Sequence, residues 1–595
     1  MKLIRLTAVL LILTTFVNAQ TIRPANQKTR KNESGSELQQ RRATALSILQ
    51  SLAIEARSYS DETLRARVQA QIADVLWSHD KEAARSLFRR AWDIAEALDQ
   101  AGAGSTLLGR RPTSSGRSPA RTNLRRAILQ LASRRDHALG EEFLAKLTSR
   151  DEASSKTVPS SAESAERLRL AMELVENQNI ERALQFADPA LTRINTQTIE
   201  FLVSLREKDA LAADRRFASL LKLAFADPAS DANTVSLLTS YTFTPSIYLA
   251  VTRSGIPSST GYAPRPVPTL SQQLRRAYFD TAAAILMRPL TQIDQSSAGR
   301  AGTHFIVMRL LPLFQQHAPD LVGPLSAQLT ALGPEAAEKT ANTGEVALKR
   351  GMGDDGSPND AELTERLDRA KNSDERDRAY AFAAIGAAEQ MDPGARDLVE
   401  KIEDAETRKG VRTWVDYMMI RSAINQKRPD EALLLIRKTE LPRVLRAHFL
   451  TKVASLKVKP APAEARDLLE EALTEARRLD PDTPDRAFSL IALLRQFSFL
   501  DRTRTWELLS ETIKTINGVP DFTAERGLAN LSLEGKFSIR FGVELATAED
   551  LTEVFRQLAE QSFYQALDVS KSFRADAPRA LATIAVARTV LVEQP

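Results

Sequence analysis

Between residues 374 and 517 the chain repeats itself. Arg378-Ala379, Arg412-Thr413, Arg446-Ala447 and Arg486-Ala487 each open a helical segment, at intervals of 34, 34 and 40 residues. Seven residues after each Arg stands an apolar side chain: Ile385, Met419, Val453 and Leu493. A second helix follows in every unit, marked by Leu398, Leu434, Leu468 and Leu508, 20 or 22 residues after the Arg. Even the wording recurs, in Ala395-Arg396-Asp397-Leu398 and Ala465-Arg466-Asp467-Leu468. Such a period leaves few folds open. One amphipathic helix pair cannot bury its apolar face alone, and stacking neighbours in line completes a continuous core. The expected fold is all-α, an α-solenoid of stacked antiparallel helix pairs.

A fainter copy occupies the N-terminal half, where Arg67 is followed 20 residues later by Leu87 within Ala84-Arg85-Ser86-Leu87. Further helix pairs run through Leu124 to Leu147, Leu168 to Phe186 and Ile199 to Leu223. The interval of 34, the small residues near helix starts and turns such as Leu479-Asp480-Pro481 resemble tetratricopeptide-type repeats or a related helical-repeat family. The resemblance covers Asp374 to Asn517 and, more faintly, Thr63 to Leu223. It departs from that family in lacking its Trp, Leu-Gly and Tyr signature positions and in the 40-residue unit. It implies an extended curved surface that holds a partner.

An aromatic share of 6% suits Leu- and Ala-rich helices better than a β-sandwich. Four stretches rich in Gly, Pro, Ser and Thr interrupt the pattern, at 101–122, 150–162, 253–269 and 333–360. They divide the chain into N-terminal repeats (37–252), a Pro/aromatic loop with central helices (253–332), a linker (333–373), C-terminal repeats (374–517) and a helical cap (518–595). Within the cap, Lys536 to Phe541 alternates polar and apolar residues, so at most one short β element is expected, near 536–543.

The first residues read as an address. Lys2 and Arg5 form a positive start, Ala8 to Val17 an apolar run, and Val17-Asn18-Ala19 a small-residue cleavage site, so residues 1–19 resemble a bacterial secretory signal peptide. Residues 20–36 would then be a polar tether, and the mature protein periplasmic or extracellular. With no Cys, disulfides, thiolate nucleophiles and Cys-ligated zinc are excluded. The net charge of +5, or +3 without Lys2 and Arg5, is too small to argue for nucleic acid. Between Ala101 and Arg135, however, no Asp or Glu offsets Arg110, Arg111, Arg117, Arg121, Arg125, Arg126, Arg134 and Arg135. Such a run fits an anionic membrane surface, or the solvated face of a linker and helix.

Local catalytic signals are weak. His79, His137, His304, His317 and His448 include no pair at helical spacing, and no metal or cofactor is expected. Ser219-Leu220-Leu221-Lys222 matches Ser-x-x-Lys without that motif's companions. Asp480 to Asp485 superficially suggests a calcium loop, yet Asp485 stands where Gly is needed and Ile491 where Glu is needed. The better reading has Pro481 and Pro484 punctuating two helices and Asp485 capping the second.

Two features suggest binding. Arg378, Arg412, Arg446 and Arg486 would form a ladder able to grip acidic groups, unless each pairs with an acidic residue of a neighbouring repeat. Tyr241, Phe243, Tyr248 and Tyr262, interleaved with prolines, would line a pocket or dock on a partner, unless they fasten a long loop to the helices below. The expected function is that of an exported non-enzymatic scaffold for a protein, peptide or glycan. The alternatives are an all-α extracytoplasmic enzyme acting on cell-envelope polymers and a peripheral membrane-surface protein using the Arg-rich segment.

Overall fold

The computed structural model describes residues 35–105, 119–154, 159–245, 247–253, 257–261, 267–289, 297–333, 363, 367–389, 392–533 and 539–592. Helix α1 (Gly35–Glu55) comes first. Antiparallel pairs follow: α2 (Glu62–Leu76) with α3 (Lys81–Ser105), α4 (Pro119–Arg135) with α5 (His137–Ser154), α6 (Pro159–Glu176) with α7 (Ile180–Ala187), and α8 (Thr196–Lys208) with α9 (Ala210–Ala226). Helix α10 (Ala232–Thr242) leads into strands β1 (Ile247–Val251) and β2 (Pro257–Gly261), then come α11 (Gln272–Leu286), α12 (Gly299–His317) and α13 (Val322–Leu332).

The C-terminal repeats are α14 (Ser373–Glu389) with α15 (Ala395–Glu400), α16 (Ala405–Asn425) with α17 (Pro429–Lys438), α18 (Arg443–Lys457) with α19 (Pro462–Arg477), and α20 (Pro484–Leu500) with α21 (Arg502–Gly518). Strands β3 (Arg526–Leu533) and β4 (Ile539–Thr547) precede α22 (Ala548–Gln561), α23 (Phe563–Ser570) and α24 (Asp576–Leu591). Short polar residues start many of these helices by accepting bonds from orphan backbone N–H groups: Asp61 from Thr63 and Leu64, Asn195 from Thr198, Asp209 from Ala212 and Asp501 from Arg504. Pro429, Pro462 and Pro484 stand at first helical positions, where no N–H is missed. The cap of α20 is Thr483; Asp485 instead lies inside its first turn.

The even-numbered helices pack side by side as one layer, α2 on α4 and so on to α12, and α14 on α16 and so on to α24. The odd-numbered helices lie against them as a second layer. Of the residues marking the repeat, Val453, Leu493, Leu468 and Leu508 are buried, as the periodicity requires. Leu434 is 53% exposed, because α17 turns Ala432 and Ile436 to the core instead. Arg412 lies well inside α16 rather than at its opening.

Helix α24 does not cap an end. It packs on α22, on α2 and, antiparallel, on α1: Arg579 bonds Glu55 at one end, and Arg42 donates to the Val590 carbonyl at the other. The two chain ends thus make one more helix pair. The run of neighbouring helices begins at α14, passes through the termini and finishes at α12. One hydrophobic core continues from Ala45 to Leu591.

The β content exceeds the single element expected. Strand β4 is that element, and it pairs antiparallel with β3; a second hairpin, β1 with β2, occupies what reads as loop in the sequence. Both hairpins rest on the even layer. Asn233 of α10 pairs its amide with the backbone N–H and carbonyl of Val251. Gly299, at φ +62°, lets Arg253 approach the start of α12. At Gly527 a Cβ would lie 2.2 Å from the Phe488 ring, so only glycine lets β3 close on α20.

Candidate functional site

Tyr241, Phe243 and Tyr248 turn inward. Tyr241 is fully buried, stacks on Phe217 with ring centres 4.1 Å apart, and donates to Asp214 at 2.6 Å. Burial pushes its hydroxyl pKa far above the usual tyrosine value, and the Asp214 bond adds to this. Arg206 completes the group, paired with Asp214 and bonded to the Thr269 carbonyl. Phe243 is half-buried against Tyr278, Phe279 and His317, and Tyr248 is buried in β1. Tyr262 lies outside the described residues. The rings therefore fasten hairpin and helices together, because both α10 and β1 have their tyrosines on the core side.

The four repeat arginines go to different places. Arg412 bonds Glu400 of the preceding unit at 2.5 Å, Arg446 donates to the Thr439 carbonyl, Arg486 sits 3.9 Å from Glu511, and Arg378 is exposed. Arg412, Arg446 and Arg486 are thus each drawn to a nearby oxygen of the array. Stronger links join second helices of successive units, such as the two-pronged bond from Arg504 to Glu470 and that from Arg477 to Glu511, each spanning 34 residues.

Three arginines of the Arg-rich run are likewise drawn into the fold. Arg125 pairs with Asp99 at 2.5 Å, Arg126 with Glu166 at 2.6 Å and Arg135 with Asp74 at 2.7 Å. Sequence reading found no acid in the run because the partners belong to other helices. Arg110, Arg111 and Arg117 lie outside the described residues, as does the side chain of Arg121 in α4. Among the described residues no helix is long and apolar enough to cross a membrane, and no three His, Cys, Asp or Glu side chains cluster to hold a metal. Ser219 is exposed and its hydroxyl donates to the Arg215 carbonyl, one turn back on its own helix.

An open cleft of about 550 Å³ is lined by α9 and α11, which pack on each other. Ala218 and Leu221 of α9 with Leu274 and Ala277 of α11 line it with apolar surface, and Arg215 and Lys222 stand exposed on the α9 side. Asp214 also lines the cleft, its charge already met by Arg206. A second, more polar recess of about 490 Å³ lies across α11, with Arg275, Gln272, Gln316 and His317 in its wall. Burial, and then the nearby Arg275, lower the His317 pKa. Sequence reading passed over the α9 cleft, although α9 carries a signal: besides its buried face of Ala213, Phe217, Leu220 and Ala224, it has a second stripe, Leu211, Arg215, Ala218, Lys222 and Phe225.

Two layers of paired helices define this chain as a helical-repeat protein. No protein-family profile matches the sequence, and no curated protein matches it. Among solved structures it is similar to a circular tandem repeat protein with novel repeat topology and enhanced subunit contact surfaces. Identity is 14%, the match covers 80% of this chain and 97% of that one, and the TM-score is 0.16.

Proposed function

We propose that this chain is exported and acts as a non-enzymatic scaffold, related to tetratricopeptide-type arrays, whose ordered helices hold a protein partner. The observation that carries this reading is the cleft between α9 and α11: an apolar, solvent-open surface with exposed basic residues, built on two rigid helices of a continuous core. Stacked helix pairs present such surfaces with little ordering cost on binding. Export rests on the positive and apolar segments at the start of the sequence.

Affinity capture from envelope extracts with tagged residues 20–595, quantified against an unrelated exported protein, tests the reading. A partner recovered in near-stoichiometric amount supports it. Turnover of a cell-envelope polymer by the purified chain, with no partner recovered, would replace it with the enzyme reading.

A further inference from the structure

Helix α9 has more apolar surface than its own fold uses. Its buried face meets the core, yet Leu211 and Phe225 are 62% and 60% exposed on another side. Midway between them lies Ala218, so this line of apolar residues advances by seven, with Arg215 and Lys222 beside it. Seven residues in two turns is the spacing of a seam between two packed helices. It extends for about 21 Å along the helix axis. The middle of the seam is low, with Ala218 facing the cleft across from Ala277, and its ends are tall. Phe225 lines the cleft, and Leu211 stands exposed seven residues before Ala218 on the same helix.

Charge selects the occupant. Several arginines of the odd helices are committed: Arg89 to Glu142, Arg216 to Asp188, Arg276 to Asp320 and Arg504 to Glu470. Arg215 and Lys222 are exposed, and among the described residues neither has an acidic partner. They stand seven residues apart, two helical turns or about 10 Å, on the same flank of the seam. The one carboxylate of the cleft, Asp214, is held by Arg206 and Tyr241.

We propose that the groove between α9 and α11 docks an amphipathic α-helix of a partner protein, apolar on one face and carrying carboxylates seven residues apart beside that face. The inference rests on the scaffold reading and names its partner chemistry. An acyl chain with an anionic head shares the charge, but small ligands bind where most of their surface is enclosed, and this groove is open along its length. A helix laid in a groove needs only one face covered.

The test uses residues 20–595 and a fluorescein-labelled peptide of three heptads, with Leu at the two seam positions and Glu beside them, and a second peptide with Lys replacing Glu. Fluorescence anisotropy should show saturable one-to-one binding of the Glu peptide only. The double variant Arg215→Glu/Lys222→Glu alters exposed side chains and should keep the wild-type melting curve. It should lose affinity for the Glu peptide by roughly tenfold, two exposed ion pairs being turned into repulsions, and gain affinity for the Lys peptide. Phe225→Ser should weaken binding in both charge backgrounds.

Absence of saturable binding, or binding indifferent to the double variant, overturns the proposal. So does one-to-one binding of a fluorescent fatty acid that the variant abolishes while the peptide fails, since the groove then takes a lipid. A concentration-dependent dimer of the chain, seen by sedimentation and dissolved by the double variant, makes the groove a self-interface and overturns it as well. Capture from envelope extracts separates this failure from that of the scaffold reading. Should the double variant recover the same partner as wild type, the groove falls and the scaffold stands.

Discussion

At the scale of single residues, the fold decides what a side chain is free to do. Tyr241 looks like a recognition residue in the sequence and is a core residue in the structure, its ring on Phe217 and its hydroxyl on Asp214. Tyr241→Phe should cost about 1 kcal/mol, the ordinary loss of one hydrogen bond, with the Arg206–Asp214 pair remaining to hold the carboxylate. Chemical denaturation would read this, and partner capture should be unaffected. His448 makes a pH-dependent claim. Burial pushes its imidazole pKa down from 6.5 to about 3, and Lys452 acts in the same direction. The folded state then keeps the ring neutral over a range where the unfolded chain binds a proton. Stability from this group is full above pH 6.5 and falls as pH drops toward 3. At pH 5 the loss is about 2 kcal/mol. His448→Gln should therefore shrink the stability difference between pH 7 and pH 5 by about that amount, leaving the smaller contributions of His304 and His317, which burial also lowers. An unchanged difference would mean that His448 titrates normally in the folded chain.

At the scale of elements, helices were legible and hairpins were not. The repeat in 374–517 predicts α14 to α21 because each helix carries its own apolar period, a local property. Strand β4 showed the start of its alternation in Ile539 and Phe541, but β3 and the first hairpin are fixed by what they lie on. Asn233 holds β1 from outside the strand, and nothing in residues 257–261 alternates. The α9 cleft was missed for a related reason: whether a second stripe on a helix is covered depends on its neighbour's distance, which no single helix records. Gly527 gives this level a direct test. Gly527→Ala forces the Phe488 ring to move, and overpacking of this kind costs about 1 to 3 kcal/mol. The double variant Gly527→Ala/Phe488→Leu should recover part of that loss, which a thermodynamic cycle on the two sites would measure. Strictly additive losses would show that the close approach of β3 to α20 is not what requires glycine.

At the scale of the molecule, the first and last described helices lie in the middle of the array. Asp74 of α2, only 4% exposed, accepts from Arg135 of α4 at 2.7 Å and from Arg588 of α24 at 2.6 Å, so one carboxylate joins helices separated by 514 residues of sequence. His79 adds a 2.9 Å bond with the Leu591 carbonyl. Arg135 and Arg588 are partly exposed and can turn to water, so Asp74→Ala should cost about 2 kcal/mol, the loss of bonds to a charged group, and loosen both neighbours of α2 at once. A stronger consequence concerns connectivity. Since α24 and α1 already lie antiparallel with Val590 beside Arg42, a short Gly-Ser link from residue 592 to residue 35 would turn them into an ordinary helix pair. A chain so linked, with new ends opened between Gly353 and Asp354, breaks no contact among the described helices. It should fold with the same circular dichroism and a melting temperature no lower than the original, because joining α24 to α1 removes from the unfolded state the freedom of two separate ends. Opening the chain instead between α18 and α19, with the same link in place, severs a tight pair and should lower the melting point. If the two permuted chains melt alike, the closure through the termini does not organise the array, and the continuous core would have to be divided at α1.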